Sequence, residues 1–224
     1  MVTRSRPSPR PLALVVLMLL ALVAACSGEG ALPAGPELMK KTAEAMKTVK
    51  SATFAITTEG TPAVPLRKAD GRLTTAGGAD GTLSVELFGQ LTEMSFVLLG
   101  DTVYFKGPTG GFQTMTRQTL MQTLSYDPAQ ILDPAKGLAQ ILTTAANPTV
   151  DGEEGGAYRA TAALKQDALK ALVPGVNQDV NAQFLIDKAT SRINRVTLPL
   201  QGGSATVTLS DYDAAVQITP PPAG

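Results

Sequence analysis

The side chains that could do chemistry in this 224-residue chain are few: one cysteine, Cys26, and two close pairs of acids, Glu153-Glu154 and Asp211 with Asp213. Two carboxylates can divide general acid and general base work when a cleft holds them across a bond. Both pairs here sit among glycines or in turn-like sequence, so they read as solvated loop residues. The chain has no histidine, which removes Ser-His-Asp and Cys-His nucleophile systems, His-ligated zinc and the usual neutral-pH base. Asp151-Gly152-Glu153 is too short for a calcium loop. Gly107-Pro108-Thr109-Gly110-Gly111 lacks the lysine and the following helix of a phosphate loop. Tyr104, Tyr126, Tyr158 and Tyr212 stand singly and form no stacking platform. With 19 basic and 19 acidic residues and a pI near 6.3, there is no basic face for nucleic acid. The expectation is a protein that is not an enzyme, with no cofactor, no metal and no nucleic-acid partner.

Cys26 is informative by position. Arg4, Arg6 and Arg10 precede an uninterrupted apolar run of 14 residues, Leu12 to Ala25, with small residues at its end. Such a run is short of the roughly 18 to 20 residues that span hydrocarbon, and its flanks are those of a secretory signal. The string Val23-Ala24-Ala25-Cys26 resembles the bacterial lipobox. That resemblance implies cleavage before Cys26, a diacylglyceryl thioether on its sulfur and acylation of the new amine. Two or three acyl chains hold a protein stably on a membrane where one does not. Residues 1–25 are therefore expected to be a signal peptide, and the mature chain a lipid-anchored protein on the extracytoplasmic side of the cell membrane. Loss of three arginines leaves a body of formal charge −3. Residues 26–36 form the lipidated cysteine and a flexible linker, because Gly28, Gly30, Pro33, Gly35 and Pro36 propagate neither helix nor central strand.

The elements that follow must supply any function through shape. Leu38 to Lys50 has helical spacing of Leu38, Met39, Ala43, Met46 and Val49. Ser51 to Thr58 alternates with Phe54 and Ile56 on one side. Leu66 to Thr75, Gly81 to Phe88, Leu91 to Leu99 and Thr102 to Lys106 continue as an antiparallel meander with short turns. From Arg117 to Ala146 the spacing becomes that of amphipathic helices, with Asp127-Pro128 and Asp133-Pro134 as helix starts and Asn147-Pro148 as the end. Ala157 to Leu164, Ala182 to Asp187, Arg192 to Leu200, Ser204 to Ser210 and Ala214 to Thr219 read as strands, with a short helix over Gln166 to Val173. The expected body is residues 37–219, followed by a disordered tail, 220–224.

An apolar stripe remains: Phe54, Ile56, Leu83, Val85, Leu87, Met94, Phe96 and Leu98 on strands, facing Ile131, Leu132, Leu138 and Ile141 on helices. Periodicity leaves two readings open, an ordinary α+β core or the wall of an apolar cavity. With only 4% aromatic residues and no tryptophan, slender side chains face one another across the layers, and the anchor places the body where lipid is the abundant apolar ligand. The alternatives are a lipid-anchored interaction module that assists a transporter or envelope protein without lipid cargo, and an envelope hydrolase. An empty, stable domain marks the first, and turnover lost with one acid marks the second.

The stretch Tyr126-Asp127-Pro128-Ala129-Gln130-Ile131-Leu132-Asp133-Pro134, then Gly137-Leu138-Ala139 and Ile141-Leu142, resembles the middle of the actinobacterial LppX/LprA/LprF/LprG lipoproteins. Lys50-Ser51-Ala52, Leu73-Thr74-Thr75, Gly100-Asp101-Thr102-Val103-Tyr104, Leu209-Ser210 and Val216-Gln217-Ile218-Thr219 extend the resemblance over essentially all of the mature chain, with the LprG branch most similar. The resemblance implies an α+β fold in which a strongly curved antiparallel sheet, a half-barrel, encloses an apolar cavity with helices on its concave side. It also implies binding of acylated lipids or glycolipids of the triacylated type, carriage across the cell envelope, and coupling to a major-facilitator transporter. Carried over by position, Leu83, Val85, Met94, Phe96 and Leu98 are cavity wall, and Ile131, Leu132, Leu138 and Ile141 lie on the covering helices.

Overall fold

Strands that alternate apolar and polar residues each expose one greasy side, and the chain resolves this by aligning all of those sides on one face of one sheet. The computed structural model describes residues 31–87, 89–124, 127–170 and 176–222. The apolar run Leu12 to Ala25, Cys26, Tyr126 and the end of the tail lie outside the described residues.

Helix α1 (Gly35–Lys47) takes in Gly35 and Pro36, two residues expected in the linker, because proline is suited to a first turn, and it carries Glu37 and Lys47 at the ends that favour their charges. It leads into β1 (Ser51–Gly60), β2 (Leu66–Thr74), β3 (Ala79–Leu87), β4 (Gln90–Leu99), β5 (Thr102–Lys106) and β6 (Gln113–Thr116). A covering segment follows: α2 (Arg117–Leu124), a 3-10 helix (Pro128–Leu132) and α3 (Leu138–Thr144). Then come β7 (Ala146–Glu154), β8 (Ala157–Leu164), α4 (Gln166–Lys170), β9 (Val180–Asp187), β10 (Ile193–Leu200) and β11 (Gly203–Ser210). The sheet has 11 strands in the order β6-β5-β4-β3-β2-β1-β11-β10-β9-β8-β7. It consists of two antiparallel meanders joined where β1 pairs with β11, and it does not close on itself.

Three further sequence expectations are corrected. Asn147-Pro148 does end the helical region, but β7 runs through it: Pro148 sits on an edge strand, beside a register shift between Ala146 and Thr149, where a missing N–H costs no ladder bond. Asp133-Pro134 opens a turn and not a helix, with Asp133 Oδ1 accepting from the N–H groups of Ala135 and Lys136 at 2.8 and 3.1 Å. Ala214 to Thr219 has no regular structure and pairs with no strand. Its path is fixed by side chains instead. Asp211 and Asp213 both take positive φ, 47° and 61°, and turn the chain sharply after β11. Asp213 Oδ1 accepts the Lys50 N–H at 2.8 Å, Arg192 reaches Oδ2 at 2.6 Å, and Ser51 Oγ donates to the Ala214 carbonyl at 2.7 Å. The Tyr212 hydroxyl donates to the Ile193 carbonyl, and burial pushes this phenol well above its usual range, so it stays a neutral donor.

The sheet is pinched where Gly71 of β2 faces Gly81 of β3. A methyl at Gly71 would stand 2.0 Å from the Asp80 carbonyl oxygen, and one at Gly81 would stand 2.1 Å from that of Asp70. Two backbones this close admit no Cβ, and the pinch lets the strands coil tightly.

Two outcomes test these ties. Gly81→Ala should cost about 1–3 kcal/mol in urea unfolding, because backbone must shift to admit the methyl. The Lys50 N–H, with help from Arg192, holds the Asp213 carboxyl below the usual carboxylate range. A depressed folded pKa gives stability that is present above the unfolded value near ~4 and lost as pH falls through the folded one. The pH series should therefore show a loss below about pH 4 that is smaller in Asp213→Asn.

Candidate functional site

Register places the apolar residues in rows across the inner face. One row runs Ala160, Phe184, Val196, Val207, Ile56, Ala69, Leu83, Met94, from β8 to β4. The next runs Leu209, Phe54, Gly71, Gly81, Phe96, Phe105. A third runs Ala52, Leu73, Ala79, Leu98, Val103, Met115. Val85, opposite Leu66 and Thr92, and Leu87, opposite Gln90, continue the same parity toward the tip of the β3–β4 hairpin. The opposite face is polar and carries charged pairs such as Arg72 with Asp80 and Arg67 with Glu86.

All the sequence-predicted wall residues on strands thus share one face. Of the twelve predicted apolar positions, Phe54, Ile56, Leu98, Ile131, Leu132 and Ile141 are buried. Leu138 is half-buried against the same cluster. Leu83, Val85, Met94 and Phe96 are likewise half-buried, Leu83 and Phe96 against that cluster. Leu87 is placed by its register alone, its side chain being outside the description. Cys26 lies outside the described residues.

Burial along the rows is graded. Over the β8–β11 half and β1–β2, the face is covered and filled: Phe184, Ile186, Ile193 and Leu73 are at most 1% exposed. Alanines at 52, 160, 162, 182 and 205 bring the covering layer close. Toward β3–β6 the cover thins, and Phe105 and Met115 join the four half-buried wall residues. Helix α2 lies over this part, with Leu120 half-buried and Met121 36% exposed. It is an excursion tied at both ends: Arg117 Nε donates to Asp127 Oδ2 at 2.7 Å, and Nη1 reaches the carbonyls of Gly77 and Gly100 at 3.3 Å. Asp127 is buried, and its other oxygen caps the 3-10 helix by accepting the Ala129 N–H at 3.0 Å. That clasp and the C-terminal tail occupy the rim where β1 begins. A groove of about 480 Å³ beside the tail, lined by Lys50, Thr74, Leu99, Asp213, Val216 and Ile218 among others, lies outside the apolar layer. None of the predicted wall residues lines it, and of the candidate acids only Asp213 does.

The acids set aside on sequence grounds have structural partners. Glu153 pairs with Lys188, and Asp151 accepts from Thr149 and Thr161, which hold its carboxyl below the usual range. What the site offers is an apolar wall, partly covered toward β3–β6 and continuous by register with the buried core. Sequence reasoning missed Val103, Phe105 and Met115, and the second-meander residues Phe184, Val196 and Val207. Alternation in Thr102 to Lys106 could have found the first two. Met115, in a four-residue strand of otherwise polar residues, leaves no such signal.

Residues 34–218 match the model of the LppX_LprAFG lipoprotein family. The chain is 29% identical over 239 residues to the lipoarabinomannan carrier protein LprG of Mycolicibacterium smegmatis, covering 100% of both chains. It is 27% identical over 220 residues to the protein of the same name from Mycobacterium tuberculosis, covering 90% of each. Among solved structures, LprF from Mycobacterium bovis aligns with TM-score 0.74 at 20% identity, over 86% of this chain and 100% of that one. LppX from Mycobacterium tuberculosis aligns with TM-score 0.61 at 18% identity, over 82% and 97%. Both show the same half-barrel fold.

The burial gradient predicts unequal costs of truncation. Phe184→Ala should lose about 3–5 kcal/mol, and Met94→Ala, half-buried on the same row, under about 1 kcal/mol, by urea unfolding.

Proposed function

The chain belongs to the LppX_LprAFG lipoprotein family, and from that premise we propose that it is a membrane-anchored carrier that takes the acyl chains of a lipid or glycolipid against its inner face and moves them through the cell envelope. The observation that carries this reading is the row of half-buried Leu83, Val85, Met94 and Phe96, continuous by register with the buried Phe54, Ile56 and Leu98. A chain that buries most of one sheet face but leaves a contiguous apolar strip only partly covered offers that strip to an apolar partner. The relatives named lipoarabinomannan carrier proteins point to acylated glycolipid as the class of cargo.

The mechanism is burial without a chemical step. Each methylene that leaves water for the apolar wall recovers roughly 0.8 kcal/mol, so a multi-chain lipid is held firmly and leaves into another membrane or a partner more readily than into water. The headgroup stays at the uncovered end. Leu83, Val85, Leu87, Met94, Phe96 and the sheet residues behind them form the wall, and Ile131, Leu132, Leu138 and Ile141 hold the cover. Cys26, acylated after removal of residues 1–25, anchors the protein on the extracytoplasmic side. A major-facilitator transporter is the proposed partner in delivery. Members of one family share a fold more readily than a cargo, because wall residues set the volume and the chain number.

Residues 27–224, secreted from an actinobacterial host, should give a native mass above the denatured one, with the difference matched by an acylated lipid in the organic extract. Leu83→Trp should abolish that difference while leaving the unfolding midpoint within about 1 kcal/mol of the parent. A protein that is empty, and that also fails to take up added glycolipid, overturns the carrier reading in favour of the interaction module.

A further inference from the structure

The carrier reading leaves open which surface meets the membrane, and the fold singles out one rim. Strand pairings place the end of β1, the start of β2, the end of β3 and the start of β4 along one edge, and carry that edge through Gly60–Gly203–Leu200 to the starts of β9 and β7. Three independent features gather there. First, the β3–β4 hairpin projects: β2 pairs with β3 only as far as Val85, and β5 with β4 only from Ser95 onward. Of the hairpin's described residues, 86, 87 and 89–91 therefore lie past the paired stretches of both neighbours, with the Glu86 N–H donating back to the Pro65 carbonyl at 2.9 Å. Leu91, on this projection, is 67% exposed, more than any other large apolar residue among those described. Second, the neighbouring β5–β6 loop presents Phe112 with the Lys106 ammonium 6.0 Å from its ring centre. An aromatic ring under a cation that can reach outward is the pairing found at membrane–water interfaces. Third, the chain enters the body at this rim. Gly35, the first residue of α1, packs on the Pro148 carbonyl at the start of β7, and α1 then runs toward the opposite rim, where β1 begins.

The half-buried wall residues Val85 and Met94 open onto the same rim. Partly covered wall residues, a projecting hairpin with an exposed leucine and the start of α1 at one edge are explained together by a single occupant. We infer that this rim rests on the surface of the lipid bilayer, with Leu91 and Phe112 in the interfacial layer and Lys106 at the level of the phosphates. In that position acyl chains pass from bilayer to wall without crossing water. The inference builds on the carrier reading and adds the face and the residues through which loading occurs.

Because the chain has no tryptophan, each single substitution introduces the sole indole. The full-length chain carrying Leu91→Trp, Phe112→Trp or, on the opposite rim, Gln217→Trp is reconstituted into vesicles of phosphatidylglycerol and dibrominated phosphatidylcholine. Emission from positions 91 and 112 should fall by about twofold or more relative to bromine-free vesicles, while position 217 is unchanged. Equal emission in the two vesicle types at position 91 overturns the inference. So does a blue shift at 91 without quenching, which marks contact with a second copy of the chain. Extracting the same preparations for bound lipid separates the two readings: cargo without quenching removes only the docking rim, and quenching without cargo upholds the rim while removing the carrier.

Discussion

One constraint governs this molecule: an 11-stranded sheet presents a single apolar face larger than the short helices available to cover it. Sheets of this kind usually close into a barrel or pack against a second sheet. This one does neither. It coils at the Gly71–Gly81 pinch and sets α1, the 3-10 helix and α3 over one half, where alanines bring the layers together, with α2 alone over the other. The other half, from β3 to β6, keeps its apolar side partly in water. That partly covered area is a free-energy cost to the empty protein, and on the proposed reading it is also the surface that receives the apolar guest.

Polar interactions set where the partly covered region lies. The Arg117–Asp127 pair fixes both ends of the α2 excursion and joins it to two turns of the first meander. A buried pair of this kind adds less to stability than to definition, since desolvation offsets most of the attraction. Its value here is that the cover stays registered over the sheet at one rim. The tail performs the matching task through Asp213 and Tyr212 at the start of β1. The outer-face pairs, such as Arg67 with Glu86, are partly solvated and keep that face soluble without contributing much to stability.

Much of this was legible in the sequence because strand periodicity is local. Once Phe54, Leu83 and Phe96 alternate with polar neighbours, they must share a face if their strands pair antiparallel in register, and they do. The Asp127-Pro128 cap was equally local and is present. Where the reading failed, the deciding contact was remote. Ala214 to Thr219 has strand composition, but Asp213 is bound to Lys50 and Arg192, which steers the segment away from any ladder. Strand β7 carries Asn147 and Pro148, local signals of a stop, and forms because β8 offers it an edge.

The amino-acid sequence by itself determined the two meanders around a helical middle and the parity that puts the apolar side chains on one face. Each of these depends on residues within a few positions of one another. Only the tertiary structure decided how that face divides into a filled half and a partly covered half. The division depends on where α1, the 3-10 helix and α3 come to rest, and the contacts that place them join residues far apart in the chain. Leu98 and Met94 are four residues apart on one strand and identical in pattern, yet one is sealed and the other meets solvent.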